Sequence, residues 1–269
     1  MALRFMKKVL LCPPTFYDIE YEINPWMHVD NKVDKKKVSE EYEALKNTYQ
    51  SLGLEVLELE PVKGLPDMVY AANIGFPLGN KFVVSNFRYH QRRKEADFAR
   101  EYFEKLDFQT ITFPQDTYFE GQGDLLTVGG KYFLGWGKRS SRDAKDILNK
   151  ELGIDCIDFE LRNPYFYHLD MSLGILDSKT ALINSRSFTQ EGLLKLKNEF
   201  PNIIETSEED NKFMACNLVV INKTVVVAKG ISDKLKSEIE QYGFKAVEIP
   251  MDEFRKGGGS IKCLTLEFY

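Results

Sequence analysis

Apolar positions along the 269-residue chain follow a pattern that recurs. Four stretches, 73–85, 123–135, 169–184 and 216–230, each hold two short runs rich in Val, Ile, Leu and Phe around a turn signal. The turns are Gly79-Asn80, Gly129-Gly130, Asp177-Ser178 and Asn222-Lys223, residue types that tolerate the tight or left-handed backbone of a hairpin. Four β-hairpins are therefore predicted. After each hairpin, apolar residues return every three or four positions among charges. That spacing predicts helices over 92–106, 142–152, 189–200 and 232–242, and another over 35–52 before the first hairpin. A short apolar run ending near Pro or an acid follows every helix, at 54–61, 108–114, 154–160, 202–207 and 245–250. A fifth hairpin is split between the ends of the chain, with CLTLEFY at 263–269 and MKKVLLC at 6–12 as its two strands.

The repeating unit is strand–strand–helix–strand, about 50 residues long, and it occurs five times. One unit cannot bury both faces of its small sheet as well as its helix. Five in a ring can, once pairing of the two terminal strands closes it. The expected fold is α/β: a five-bladed, pseudo-symmetric ββαβ propeller, a single domain over 1–269 with a central channel. No Gly/Ser/Pro-rich linker or charge block marks a division into two domains.

Composition narrows the function classes. Apolar residues at 43% and charged residues at 29% are ordinary for a globular chain. A net charge of −5 gives no general attraction for nucleic acid or an anionic membrane face. No apolar run approaches the roughly 18 residues of a membrane span. The start, MALRFMKKVLLCPPTF, mixes basic and apolar residues as a signal peptide does. Its apolar run is only Val9-Leu10-Leu11, broken by Pro13-Pro14, so it reads as a first strand. The cysteines, Cys12, Cys156, Cys216 and Cys263, form no CxxC and are too few for a disulfide framework, which points to a reducing cytoplasm. His28, His90 and His168 show no metal-ligand spacing, so neither a metal nor another cofactor is expected. The expected partner is a small-molecule substrate. A homo-oligomer is allowed, because nothing in the sequence sets the oligomeric state.

The residues that open the hairpins carry the chemistry. Asn24, Asn73, Glu120, His168, Cys216 and Cys263 stand 47 to 49 residues apart. Equivalent points of a ring face its axis together, so these side chains are expected to converge. A lone Cys or His is more commonly a packed core residue, but Cys263 follows GGGSIK and has a histidine at an equivalent point. A glycine-rich turn would let backbone N–H groups approach a thiolate and lower its pKa. Cys216 lacks the glycines and reads as packing. In YFYHLDM, Asp170 would share a side with His168 on extended chain, where it could orient the imidazole or meet a cation. Glu120 lies in FEGQGDLL, and Asp67 lies in GLPDMVYAAN. Carboxylates, a thiol and an imidazole without a metal suit attack on a planar cationic carbon. The acids hold the cation, the thiolate attacks, and the histidine protonates the departing amine and activates water. The aromatic and charged segment 17–37 is expected to fold over the channel with Asn24 and Trp26 facing in; a surface loop packed on the ring is the alternative.

LPDMVYAANIG, FEGQGDLL, YHLDMSLGIL and GGGSIKCLTLEF together resemble the guanidino-group-modifying enzymes of the pentein fold. These include arginine deiminase, dimethylarginine dimethylaminohydrolase, the amidinotransferases and the arginine dihydrolases. The resemblance spans essentially the whole chain. It implies that Cys263 is the nucleophile of a thiouronium intermediate and His168 the general acid and base. It also implies that Glu120 and Asp170 bind guanidinium nitrogens and that Asp67 is the acid of a PDxV-like motif. Arg92 in HQRRKE and Arg139 in GWGKRSS match arginines that bind a substrate α-carboxylate. Two departures stand out. Asn73 replaces the usual acid of the deiminases, and EGQGD replaces EGGD; with Asn24, both look like the arginine dihydrolases. An amide can donate to a ureido oxygen where a carboxylate can only repel it, so Asn73 and Asn24 would hold a ureido intermediate for a second attack. The reading is two-round hydrolysis of L-arginine to ornithine, ammonia and carbon dioxide. Single-step dimethylarginine or arginine hydrolysis to citrulline is the alternative, followed by amidinotransfer and by a binding protein without catalysis.

Overall fold

The computed structural model describes residues 6–268. Met1–Phe5, from the start read above as leading into a first strand, and Tyr269, the end of the last predicted run, lie outside the described residues. Among the described residues, fifteen strands form five three-stranded sheets. The first sheet is β15 (Leu266–Phe268), β1 (Lys8–Leu11) and β2 (Glu55–Glu58), in that order. The second is β3 (Gly75–Leu78), β4 (Lys81–Val84) and β5 (Gln109–Ile111), and the third β6 (Leu125–Val128), β7 (Lys131–Trp136) and β8 (Cys156–Glu160). The fourth is β9 (Leu173–Ile175), β10 (Thr180–Ile183) and β11 (Asn202–Glu205). The fifth is β12 (Val219–Ile221), β13 (Thr224–Ala228) and β14 (Lys245–Ile249). In every sheet the middle strand pairs antiparallel with one neighbour and parallel with the other. The parallel pairing needs a crossover, which a helix supplies. The terminal strands pair as the pattern predicts, with Val9 opposite Glu267 on one side and Val56 on the other.

The middle strands read KVLL, KFVV, KYFLGW, TALI and TVVVA, nearly continuous in apolar residues. Such a strand has both faces covered, and alternation assigns its residues to two different neighbours. Val9 and Leu11 pack with Val226 and Ala228 of the fifth sheet, whereas Leu10 packs with Phe82 and Phe103 of the second unit. The same division recurs at Val83 against Phe82, Leu134 against Phe133, and Leu182 against Ala181. Each sheet thus shares one core cluster with each neighbour, and the fifth returns to the first. That closes the ring.

Five helices cross between paired strands: Lys35–Ser51, Arg93–Glu104, Ala144–Leu152, Gln190–Glu199 and Asp233–Gln241. The helices are shorter than their sequence spacing predicts, because residues at their ends cap them instead of joining them. Thr189 and Ser232 sit just outside, their side-chain oxygens accepting the N–H of Gly192 and Leu235. The hairpins start later than their pattern suggests, because single helical turns at Ala71–Ile74, Gly121–Asp124 and Leu169–Met171 precede β3, β6 and β9. Among the described residues, no helix is long and apolar enough to cross a membrane.

Candidate active site

Those single turns place the chemistry. Asn73 lies in the first, and Glu120 and His168 immediately precede the other two. His168 Nε2 lies 2.8 Å from Glu120 Oε2, and both side chains are fully buried. Burial alone would raise the Glu120 pKa, but the Arg139 guanidinium at 2.9 Å and the imidazole outweigh it and hold this carboxyl well below the usual range. An ionised Glu120 only accepts, so Nε2 must carry a proton, which leaves Nδ1 as the ring's other nitrogen. Nδ1 has no partner. Beneath the pair, Asp124 accepts the Ser140 hydroxyl at 2.6 Å and the Leu169 N–H at 3.1 Å, and burial raises it to about 6.

Cys263 Sγ donates to Asp170 Oδ2 at 3.3 Å and accepts from Asn217 Nδ2 at 3.1 Å. Asp170 therefore serves the thiol and does not orient His168, because Leu169–Met171 is a helical turn and not the extended chain assumed above. Burial, then the adjacent Asp170, pushes the thiol well above its ordinary value. This corrects the expectation of a depressed pKa. The glycines do other work: a Cβ at Gly258 would lie 2.7 Å from Asn24 Oδ1, and one at Gly259 would lie 2.4 Å from the Tyr70 ring. They admit side chains against the backbone, and the Ser260 N–H that reaches the sulfur lowers the thiol's pKa by less than burial and Asp170 raise it. Burial likewise raises Asp170 to about 7.

Asn73 is fixed by Arg92, whose Nη1 donates to Asn73 Oδ1 at 2.9 Å. Its other amide atom, Nδ2, is buried without a partner. A Cβ placed on Gly123 would sit 2.5 Å from that nitrogen and 3.0 Å from His168 Nδ1, so the two unpartnered nitrogens flank the same bare backbone. Arg92 is 3% exposed, which excludes a solvated helix start. It makes a two-pronged bond to Glu95 at 2.9 and 2.8 Å and donates to the Asp67 carbonyl. Asp67 accepts the Tyr21 hydroxyl at 3.0 Å, and burial raises its pKa despite Arg92.

Segment 17–34 lies across these residues. Arg139 Nη2 donates to the Ile23 carbonyl, with its guanidinium between the rings of Tyr89 and Tyr167. Asn24 Nδ2 donates to the Gly257 carbonyl at 3.0 Å, and Trp26 Nε1 to that of Tyr165 at 2.7 Å. Asn24 thus ties the covering segment to the glycine run; it opens no hairpin, because the first unit begins at β1. Cys216 does not reach the shared chamber. It packs among Leu176, Leu182 and Val225, as its lack of glycines implied, and Asn217, one position on, is the residue that meets Cys263.

Sequence reasoning missed Asn217, Asp124 and Glu95. The repeat marked Asn217 to within one residue, Asp124 stands inside the same run as Glu120, and Glu95 is three positions from Arg92 on a helix, where side chains meet. Among the described residues, no group of three His, Cys, Asp or Glu is placed to hold a metal ion.

The chain is similar to known proteins along most of its length. A family model described as N,N dimethylarginine dimethylhydrolase, eukaryotic, matches residues 19–269. The chain is 35% identical over 266 residues to N(G),N(G)-dimethylarginine dimethylaminohydrolase of Mycobacterium tuberculosis, covering 98% of this chain and 86% of that one. It is 34% identical over 264 residues to the bifunctional arginine dihydrolase/ornithine cyclodeaminase ArgZ of Synechocystis, covering 96% of this chain and 37% of that protein. The crystal structure of the N-terminal domain of ArgZ, a cysteine-to-serine mutant bound to substrate, superposes with a TM-score of 0.93 at 33% identity, covering 97% of each chain. The ring of five ββαβ units is the pentein fold.

Proposed function

The chain belongs to the N,N-dimethylarginine dimethylhydrolase family, whose members hydrolyse guanidino or amidine groups, and from that premise we propose that it converts L-arginine in two rounds to ornithine, two ammonia and carbon dioxide. The observation that carries this reading is the orientation of Asn73. Arg92 takes its oxygen, so the amide keeps an unpartnered N–H donor, set against the same bare backbone at Gly123 as His168 Nδ1. A guanidinium has only donors and gains nothing from another. A ureido oxygen, or the oxyanion formed when its carbon is attacked, accepts that bond.

The chemistry follows from the remaining groups. Five buried carboxyls, those of Asp67, Glu95, Glu120, Asp124 and Asp170, outnumber the guanidiniums of Arg92 and Arg139, so the chamber favours a cation. A substrate guanidinium beside Asp170 and Cys263 supplies the positive charge that the empty site lacks and favours the thiolate. Sγ attacks the guanidino carbon. The thiol's proton goes to His168 Nδ1, which passes it to the departing nitrogen so that it leaves as ammonia, and Nδ1 then takes a proton from the water that attacks the thiouronium. The carbon–sulfur bond breaks, and a ureido group results. In the second round Sγ attacks the ureido carbon while Asn73 donates to its oxygen. Ammonia leaves again, water releases the carbamate, and carbon dioxide departs from it. Arg139 is the arginine better suited to the α-carboxylate, because one of its contacts is the Ile23 carbonyl of the covering segment at 3.3 Å, which displacement of that segment would free.

The second reading is single-step hydrolysis of dimethylarginine, favoured by the family model and by the mycobacterial relative. A mass-resolved product assay separates the two. Ornithine with two ammonia per arginine, abolished in Cys263→Ser, supports the two-round reading. Citrulline as the end product, with methylamine release from methylated substrate, would replace it.

A further inference from the structure

We infer that Asn217 is a catalytic residue, the fixed hydrogen-bond donor that stabilises the Cys263 thiolate. Its amide is buried and fully committed. Oδ1 accepts the backbone N–H of Lys262 at 3.0 Å and of Cys263 at 3.1 Å. Nδ2 donates to Cys263 Sγ at 3.1 Å and to the Asp170 carbonyl at 3.3 Å. An amide offers two acceptor sites and two donors, and all four are used here. Rotating it would oppose oxygen to sulfur and nitrogen to two N–H groups, so the donor is locked toward Sγ. The side chain comes from the loop before β12 and the thiol from the segment before β15, so the contact joins two units of the ring.

This donor matters because only two groups near the sulfur lower its pKa, the Ser260 backbone N–H and the Asn217 amide, against burial and Asp170. Of the titratable groups facing it, Asp170 at 3.3 Å opposes ionisation, and Tyr167 is a buried phenol held neutral. Lys262 and Glu267 act on Asp170 from the C-terminal segment with opposite signs. The Tyr70 ring packs at Gly259, beside Cys263 Cβ, and His168 is paired with Glu120. A hydrogen bond to a charged group is stronger than one to a neutral group, so the Asn217 bond strengthens as the S–H bond breaks and the electron pair stays on sulfur.

The inference rests on Cys263 being the nucleophile, and the test keeps the two apart. The rate of alkylation by iodoacetamide is followed against pH, the modified residue is identified by mass spectrometry, and melting is measured in parallel. The proton released goes to the buffer. Loss of the donor in Asn217→Ala is expected to raise the midpoint by about one pH unit, about a tenfold slower reaction at a fixed pH below it. Asn217→Asp keeps an acceptor for both backbone N–H groups, so it guards against simple misfolding, and once ionised it should raise the midpoint as well. Wild-type pH profiles in both folded variants would overturn the role of Asn217 and leave a structural bracket only. Alkylation of the wild type elsewhere than Cys263 would instead overturn the nucleophile.

Discussion

Exchanging one atom tests the proposed division of labour most sharply. In Asn73→Asp an oxygen takes the place of Nδ2 while the other oxygen keeps its place beside Arg92 Nη1 at 2.9 Å. Arg92 holds the new carboxylate ionised, so the chamber gains an acceptor where it had a donor. The first round should tolerate this, since a carboxylate suits a guanidinium. The second should not: the ureido oxygen loses its donor and meets a negative charge. One lost hydrogen bond at a buried site, with its acceptor left unpaired, is worth about 1–3 kcal/mol. That corresponds to about a five- to 150-fold slower second round. Single-turnover reactions with L-arginine, quenched in time and resolved by mass, would show citrulline accumulating in the variant while arginine disappears at nearly the wild-type rate. An unchanged ratio of ornithine to citrulline, with the variant folded and active, would refute the assignment of Asn73 to the second round.

Other consequences follow from the buried charges and the close packing. Burial raises Asp170 to about 7, so the folded protein holds a proton that the unfolded chain releases near the ordinary aspartate value of 3.8. Its contribution to stability is full below that value and is lost as pH rises through about 7; the melting-temperature advantage of Asp170→Asn over wild type should therefore grow between about pH 5 and 8, and a constant difference would show that the buried carboxyl is not protonated. Glu95→Gln removes the charge that pairs with a buried Arg92 and should destabilise by about 3–5 kcal/mol in urea denaturation; a loss below about 1 kcal/mol would mean that Asp67 suffices as its counter-ion. Gly258 has φ +88°, and a Cβ there would lie 2.7 Å from Asn24 Oδ1 and 2.9 Å from the Tyr167 hydroxyl. Gly258→Ala should therefore speed proteolytic cleavage within 17–34, whereas wild-type cleavage would show that the Asn24 contact does not hold this segment.

The covering segment and the acid cluster act on each other. Tyr21 reaches Asp67, and Ile23 reaches Arg139. In this arrangement Glu120, His168, Asp170 and Cys263 are all sealed, at 2% exposure or less. A sealed chamber strengthens every electrostatic contact inside it, which is why Asp67, Asp124 and Asp170 are driven toward neutrality while Glu120, beside Arg139, stays ionised.

The repeat determined the architecture because burial demands it. Continuous apolar middle strands need neighbours on both faces, helices at 3.6-residue spacing need a sheet to cover, and an unpaired strand at each terminus needs the other. Those requirements lie in the order of residues, and they were enough to place Asn73, Glu120, His168 and Cys263 at equivalent points. Tertiary structure decided what those points do. Equivalent positions agree only to within a residue, so whether Cys216 or Asn217 meets the thiol depended on the backbone of one loop. The pairing of His168 with Glu120 and not with Asp170 turned on a single helical turn where extended chain was expected. The protonation of the thiol depended on its distance from charges contributed by other units of the ring. Hydrophobic periodicity carries information about faces over tens of residues, whereas hydrogen bonds and pKa values depend on ångström distances between segments far apart in the chain, and those exist only once the ring has closed.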